Sequence, residues 1–136
     1  MEDGRIRVLS VDDHPLLREG LALIISHQSD MELVSQASGG KEAIQKYREH
    51  RPDVTLMDLR MPDLSGIDAL LAIRAEFPDA RIIVLTTFEG DVEIQRALQA
   101  GACGYLLKSL PPGELVQLIR QVHAGKKWVR PDSRLP

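Results

Sequence analysis

The feature of this sequence that most constrains its fold is a regular alternation of short apolar runs with amphipathic stretches. Five runs are short enough to be strands and rich in β-branched or other apolar residues. They lie at Ile6–Val11, Met31–Ala37, 54–57, 82–85 and Gly104–Leu107. The runs at 54–57 and 82–85 show little polar alternation, which is typical of strands buried on both faces of a parallel sheet.

Each run is followed by a stretch with helical spacing. The clearest apolar stripe has i, i+3, i+4, i+7 spacing and consists of Leu115, Leu118, Ile119 and Val122. Pro15 suits a first helical turn, Pro78 would stop the third helix after Phe77, and Gly101 would end a fourth helix at 92–100. The pattern predicts five βα units, and right-handed crossovers would place helices on both faces of a five-stranded parallel sheet, an α/β fold.

Length and composition limit the classes of protein. The 136 residues suit one domain, and 43% hydrophobic residues can form a core. Seventeen basic residues against 20 acidic ones give a net charge of −3, without the basic excess typical of a nucleic-acid-binding domain. The single Cys103 cannot form an internal disulfide, and no apolar stretch approaches the ~20 residues that span a bilayer. We therefore expect no membrane association and a cytoplasmic location.

The end of the chain differs in character from the rest. Residues 126–136 are basic, contain two prolines and lack apolar periodicity. This composition is typical of a linker. The sequence therefore predicts one domain over residues 5–125 and a linker over residues 126–136.

Polar residues stand at the carboxyl ends of four predicted strands, where sites form in open α/β sheets. Asp12 and Asp13 follow the first strand, and Asp58 follows the third. Thr86 ends the fourth strand and Lys108 follows the fifth. Three carboxylates, a hydroxyl and an ammonium group should therefore meet at one edge of the sheet.

Crowded carboxylates repel one another, and a hard divalent cation relieves that repulsion. Oxygen ligands are what Mg²⁺ prefers, and a carboxylate beside Mg²⁺ can act as a nucleophile toward a phosphoryl group. Lys108 could hold oxygens of the transferred group by charge, and Thr86 could do so by a hydrogen bond.

Simpler interpretations exist for single residues. Asp12 and Asp63, taken one at a time, are typical of turn or helix-capping residues. His14 lacks a partner at metal-ligand spacing, which favours a structural residue or one that merely lines the site. The joint placement of polar groups at the ends of strands 1, 3, 4 and 5 nevertheless favours a functional site.

These motifs carry a family resemblance that covers nearly the whole chain. They are VDDHPL at 11–16, DLRMP at 58–62 with Gly66, Thr86, GA at 101–102 and YLLK at 105–108. The sequence resembles the receiver domain of bacterial two-component response regulators. The HPL motif with REGL at 18–21 is similar to the NarL/FixJ subfamily, in which a LuxR-type helix-turn-helix domain that binds DNA follows the receiver.

The resemblance implies a flavodoxin-like (βα)5 fold with sheet order 2-1-3-4-5. It implies that Asp58 is the phosphoacceptor for a sensor histidine kinase. Mg²⁺ would be held directly by Asp13, Asp58 and the backbone carbonyl of Arg60, and by Asp12 through water. Such a domain catalyses only its own phosphorylation and dephosphorylation and is otherwise not an enzyme.

The resemblance also implies how the phosphorylated state is read. Lys108 and Thr86 would contact the phosphoryl group, and Tyr105 would be an aromatic switch that follows Thr86. Phosphorylation would favour a homodimer, and DNA would be bound only through an attached C-terminal domain beyond the linker. One departure is that Ser109, rather than proline, follows Lys108. A cis Lys108–Ser109 bond would cost ~3–4 kcal/mol.

Two other functions share parts of this pattern. A Mg²⁺-dependent phosphohydrolase of the haloacid dehalogenase type also uses an aspartate nucleophile after a strand, but it needs a second acid two residues later. Those positions hold Arg60 after Asp58 and His14 after Asp12. A flavin-binding module would need a phosphate-binding loop after the first strand, where Asp12 and Asp13 would repel phosphate. Both alternatives are disfavoured.

Overall fold

A computed structural model describes residues 4–87, 91–109 and 111–125. Its five parallel strands form one sheet in the order β2-β1-β3-β4-β5, which confirms the predicted order and fold class. The strands are β1 (Ile6–Val11), β2 (Met31–Ala37), β3 (Val54–Asp58), β4 (Ile82–Thr86) and β5 (Gly104–Leu107). Strands β3 and β4 each extend one residue past the apolar runs at 54–57 and 82–85 and end at the polar residues Asp58 and Thr86.

Five helices alternate with the strands, as predicted. They are α1 (Pro15–Ser26), α2 (Gly40–His50), α3 (Gly66–Glu76), α4 (Asp91–Gln99) and α5 (Pro112–His123). Helix α3 ends at Glu76, and Phe77 is its C-terminal cap rather than a helical residue. Helix α4 is assigned one residue earlier than the predicted 92–100, although the Ala100 amide still donates to Arg96 O, as in a helix. Gly101 follows with a φ of 113°, a conformation that favours glycine.

Successive strand residues point to opposite sides of the sheet, and helices cover both sides, so the sheet is buried on both faces. Met57 faces a core shared with α2, α3 and α4, whereas the preceding Leu56 faces a core shared with α1 and α5. All five residues of β3 and of β4 are buried, which explains their near-continuous apolar sequence. Burial on both faces leaves the strand ends as the place where this sheet can present polar groups.

Within the described ranges, no helix is both long and apolar enough to cross a membrane. The predicted linker at 126–136 lies outside those ranges.

Candidate functional site

The polar strand ends converge as predicted. They surround a cavity of about 330 Å³ whose lining includes Asp13, Asp58, Arg60, Thr86 and Lys108. Asp58 lies at this cavity at the end of β3, which is central, between β1 and β4. Lys108 follows β5, and its amide donates to Thr86 O at 2.8 Å, which places Lys108 beside the end of β4. The parallel topology therefore gathers side chains from positions up to about a hundred residues apart in sequence at one sheet edge.

Two of the carboxylates are buried side by side. Asp12 is 0% exposed and Asp58 is 2% exposed. The Lys108 Nζ lies 3.1 Å from Oδ2 of each, so that one ammonium group contacts both acids. The other oxygen of Asp58, Oδ1, accepts a hydrogen bond of 3.2 Å from the Arg60 amide.

The charge balance around Asp58 alters its acidity. Burial raises the pKa of the Asp58 carboxyl above its ordinary value, and the negative charge of Asp12 raises it further. The Lys108 ammonium and the Arg60 amide act in the opposite direction and lower that pKa, but do not cancel the increase. The Asp58 carboxylate is therefore held in a site that favours added positive charge.

His14 is closer to the acids than the sequence indicated. Its Nδ1 lies 2.9 Å from Oδ1 of Asp12, 3.1 Å from Oδ1 of Asp13 and 4.0 Å from Oδ2 of Asp58. The interpretation of His14 as a lining residue holds, since it lines the cavity, but spacing alone did not reveal its contact with all three acids. A clue lay in its position directly between the acidic pair and Pro15, where α1 begins.

Asp12 combines the two interpretations given to it. Its Oδ1 accepts a 2.8 Å hydrogen bond from the His14 amide, which is the turn role of an aspartate before a helix. Its Oδ2 faces Lys108 across the site. The Arg18 guanidinium, which sequence reasoning did not assign to the site, donates to the Asp12 carbonyl at 2.6 Å and holds this strand end in place.

The acids meet a physical requirement for a hard cation. Ligand atoms of Asp12, Asp13, His14 and Asp58 all lie within 4.8 Å of one another. Oδ2 of Asp12, Oδ1 of Asp13 and Oδ2 of Asp58 are buried and make no well-formed hydrogen bond in the described part of the chain, although Lys108 and His14 lie at ion-pair distance. Buried carboxylate oxygens of this kind are compatible with Mg²⁺.

Thr86 and Tyr105 lie on the same face of neighbouring strands. The register pairs Val84 with Tyr105 and Thr86 with Leu107, so Tyr105 is opposite a residue two positions before Thr86. Tyr105 is buried in the core that α2, α3 and α4 share with the sheet. Thr86 is also buried, at the cavity end of β4.

The loop between β3 and α3 is held by contacts that reach across the fold. Asp63 accepts hydrogen bonds from the Gly40 and Lys41 amides at 2.9 and 3.1 Å, so it caps α2 from another loop. This confirms the capping interpretation of Asp63, although its helix is distant in sequence.

The loop after β5 has ordinary peptide geometry. The Lys108–Ser109 peptide is trans, since no peptide bond within the described residues is cis.

Comparison with known proteins agrees with this geometry. The family model of the response regulator receiver domain matches residues 8–120. The response regulator GacA of Pseudomonas viridiflava is 41% identical over 126 residues, which are 93% of this chain and 59% of GacA. The chain thus spans about three fifths of the length of the curated relatives it matches.

Solved structures give the same assignment. A LuxR-family two-component response regulator from Aurantimonas sp. SI85-9A1 has a TM-score of 0.89 and 40% identity, covering 94% of this chain and 91% of that one. The signal receiver domain of NarL from Mycobacterium tuberculosis has a TM-score of 0.86 and 33% identity, covering 90% of this chain and 98% of that one. These similarities give no support to the haloacid dehalogenase alternative. The chain belongs to the response regulator receiver family of signalling proteins, in its NarL/FixJ branch.

Proposed function

We propose that Asp58 accepts a phosphoryl group from a histidine kinase in a Mg²⁺-dependent reaction. The observation that carries this proposal is the state of Asp58. It is a buried carboxylate at the end of a central strand, bordering an open cavity and contacted by Lys108 and the Arg60 amide. In the transfer, an oxygen of Asp58 forms a bond to phosphorus as the bond between phosphorus and the donor histidine breaks.

The remaining site residues have roles in this proposal. Asp13, Asp58 and the backbone carbonyl of Arg60 would hold Mg²⁺ directly, and Asp12 would act through water. The bound ion supplies positive charge that offsets the repulsion between the acids and the phosphoryl oxygens. Lys108 would move its ion-pair contact from the acids to the phosphoryl group.

The effect of phosphorylation at Asp58 is proposed to pass from Thr86 on β4 to Tyr105 on the neighbouring strand β5. Thr86 would donate a hydrogen bond to the phosphoryl group, and Tyr105 would change its position in response. The receiver at 5–125 would then dimerise and, through the linker at 126–136, set the spacing of attached helix-turn-helix domains on DNA. In this proposal the chain acts catalytically only on its own phosphorylation and dephosphorylation.

Intact-mass measurement after incubation with acetyl phosphate tests the assignment of the acceptor. The parent protein with Mg²⁺ should gain the mass of one phosphoryl group, and chelation of the metal should prevent the gain. Asp58→Asn should gain none, because the amide is not a nucleophile. The control Asp79→Asn, which makes the same change at an exposed position, should be phosphorylated like the parent.

The outcome that contradicts the proposal is uptake of phosphate by Asp58→Asn at the parent's level. Continuous release of phosphate from several unrelated phosphate esters would instead favour a phosphohydrolase.

A further inference from the structure

Arg60 lies between two negatively charged groups that belong to different parts of the fold. Its amide donates to Asp58, and the residue lines the Asp58 cavity. Its guanidinium Nη2 lies 3.3 Å from Oε1 of Glu93, the third residue of α4. One residue thus connects the predicted acceptor with the helix that follows β4.

The pair between Arg60 and Glu93 is easily broken. The two side chains are 65% and 39% exposed, and ion pairs with this degree of exposure are screened by water and contribute little. The Arg60 guanidinium is a planar cation with a fork of N–H donors, a shape that suits carboxylate and phosphate oxygens. A stronger anion that appears in the cavity will compete with Glu93 for it.

A phosphoryl group on Asp58 would be such an anion. It carries a charge close to −2 and three acceptor oxygens, and a guanidinium group matches their geometry better than it matches a single carboxylate oxygen. We propose that Arg60 is a positioning residue that exchanges Glu93 for the phosphoryl oxygens, so that phosphorylation releases the start of α4 from the β3–α3 loop. This inference rests on the proposed function, since it requires a phosphoryl group at Asp58.

The exchange makes a quantitative prediction for beryllofluoride, which mimics the phosphoryl group. Glu93→Gln removes the competing partner and should tighten beryllofluoride binding by about 1.5- to fivefold, the range that exposed ion pairs span. Arg60→Met should weaken binding. In the Arg60→Met background, Glu93→Gln should have no further effect, because the partner it frees is absent.

A matched control exists on another part of the surface. Arg48 and Glu76 form an ion pair at 2.9 Å between α2 and α3, with side chains 57% and 43% exposed. Glu76→Gln makes the same change in charge in a pair of similar exposure, but neither partner lines the Asp58 cavity. It should leave beryllofluoride affinity at the parent value, which separates a specific exchange from a general effect of net charge.

The experiment is a double-mutant cycle on the whole chain. Beryllofluoride affinity is measured at saturating Mg²⁺ by calorimetry in the parent, Glu93→Gln, Arg60→Met, the double variant and Glu76→Gln. Hydrogen exchange of the α4 amides is followed in the same samples. Beryllofluoride should speed exchange in the parent, and Glu93→Gln should already exchange faster without it. The gain in affinity from Glu93→Gln should shrink as the salt concentration rises.

The outcomes separate this inference from the proposed function. Failure of the parent to bind beryllofluoride at all would contradict the phosphoacceptor role itself. Normal binding by the parent, with an equal effect of Glu93→Gln in the presence and absence of Arg60, would overturn the exchange alone. An equal gain from Glu76→Gln would overturn it as well.

Discussion

At the scale of single residues, the site keeps charge where charge is costly. Asp58 is almost fully buried beside another buried acid, and Lys108 compensates both only in part. A buried carboxylate is stabilised by a cation and destabilised by its absence. We therefore expect the charged Asp58 carboxylate to lower the free energy of unfolding of the metal-free protein.

Asp58→Asn should stabilise the metal-free protein at neutral pH. The folded-state pKa of Asp58 is raised, so the folded protein binds this proton more tightly than the unfolded chain does. The contribution of this group to stability is present below the ordinary pKa of 3.8 and is lost as the pH rises through the folded-state pKa. Asparagine avoids that loss, so we expect Asp58→Asn to be more stable than the parent protein at pH 7.

Thermal unfolding in the presence of a chelator measures this difference. The melting temperatures of Asp58→Asn and the parent should converge as the pH falls toward the ordinary pKa of an aspartate. A variant that is no more stable than the parent at pH 7 would show that Lys108 fully compensates the charge of Asp58.

Asp13→Ala should weaken Mg²⁺ binding by at least roughly tenfold, since even indirect supports of a metal site have effects of that size. One oxygen of Asp13 is buried and faces the other acids, whereas the side chain as a whole is only partly buried. Removing it should therefore leave the fold intact. Calorimetric titration with Mg²⁺ measures the change, with Asp79→Ala as a control for the lost charge. Unchanged affinity would remove Asp13 from the metal site.

At the scale of elements, the position of Asp58 depends on how closely α3 approaches the end of β3. A Cβ at Gly66, the first residue of α3, would overlap the Asp58 carbonyl oxygen and lie 2.7 Å from the Leu59 Cα. The same loop is tied to α2 through Asp63, and the Lys41 and Gly40 amides lower the pKa of the Asp63 carboxyl. The loop that follows Asp58 is thus held by the close approach of α3 and by hydrogen bonds to α2.

Gly66→Ala should destabilise the protein by about 1–3 kcal/mol, because the overlap is with backbone atoms that must shift. It should also displace Asp58 and slow its phosphorylation. Gly20→Ala is the matched control, since nothing lies within 4 Å of a Cβ there and the residue is inside α1. That control should stabilise by about 0.5–1 kcal/mol. Chemical denaturation compares the two, and an equal response would show that the α3 approach is not tight.

At the scale of the whole molecule, a local event at one sheet edge must reach a surface. The register places Tyr105 beside Val84, two residues from Thr86, in the core beneath α4. A change in balance between two states requires only a few kcal/mol, which one phosphoryl group can supply through new contacts.

Beryllofluoride should therefore promote self-association of the parent protein, and Thr86→Ala should reduce that response. The threonine hydroxyl would link the phosphoryl group to Tyr105, and alanine cannot donate the hydrogen bond. Analytical ultracentrifugation with and without beryllofluoride measures the association. The chain also contains Tyr47 and Trp128, so the part of the fluorescence change that is lost in Tyr105→Phe reports the surroundings of Tyr105. A full response by Thr86→Ala would place the route of the switch elsewhere.

The sequence by itself determined the α/β class, the strands to within about a residue, the order of the five helices, and the strand-end residues Asp12, Asp13, Asp58, Thr86 and Lys108. Its apolar periodicity is local and arises directly from which faces of each element are buried. The motifs added the sheet order, because they resemble those of a family whose order is fixed. Parallel topology then explains why residues at separate strand ends become neighbours.

Only the tertiary structure decided which partners those residues have. The contact of His14 with three acids, the hydrogen bond from Arg18 to the Asp12 carbonyl, and the ion pair of Arg60 with Glu93 all depend on how loops and helices pack. The same holds for Asp63. The sequence favoured a turn or capping role for this residue, but it did not indicate that the helix it caps is α2. Such contacts join residues with no fixed sequence spacing, so their physical cause is the relative placement of whole elements, which local patterns do not encode.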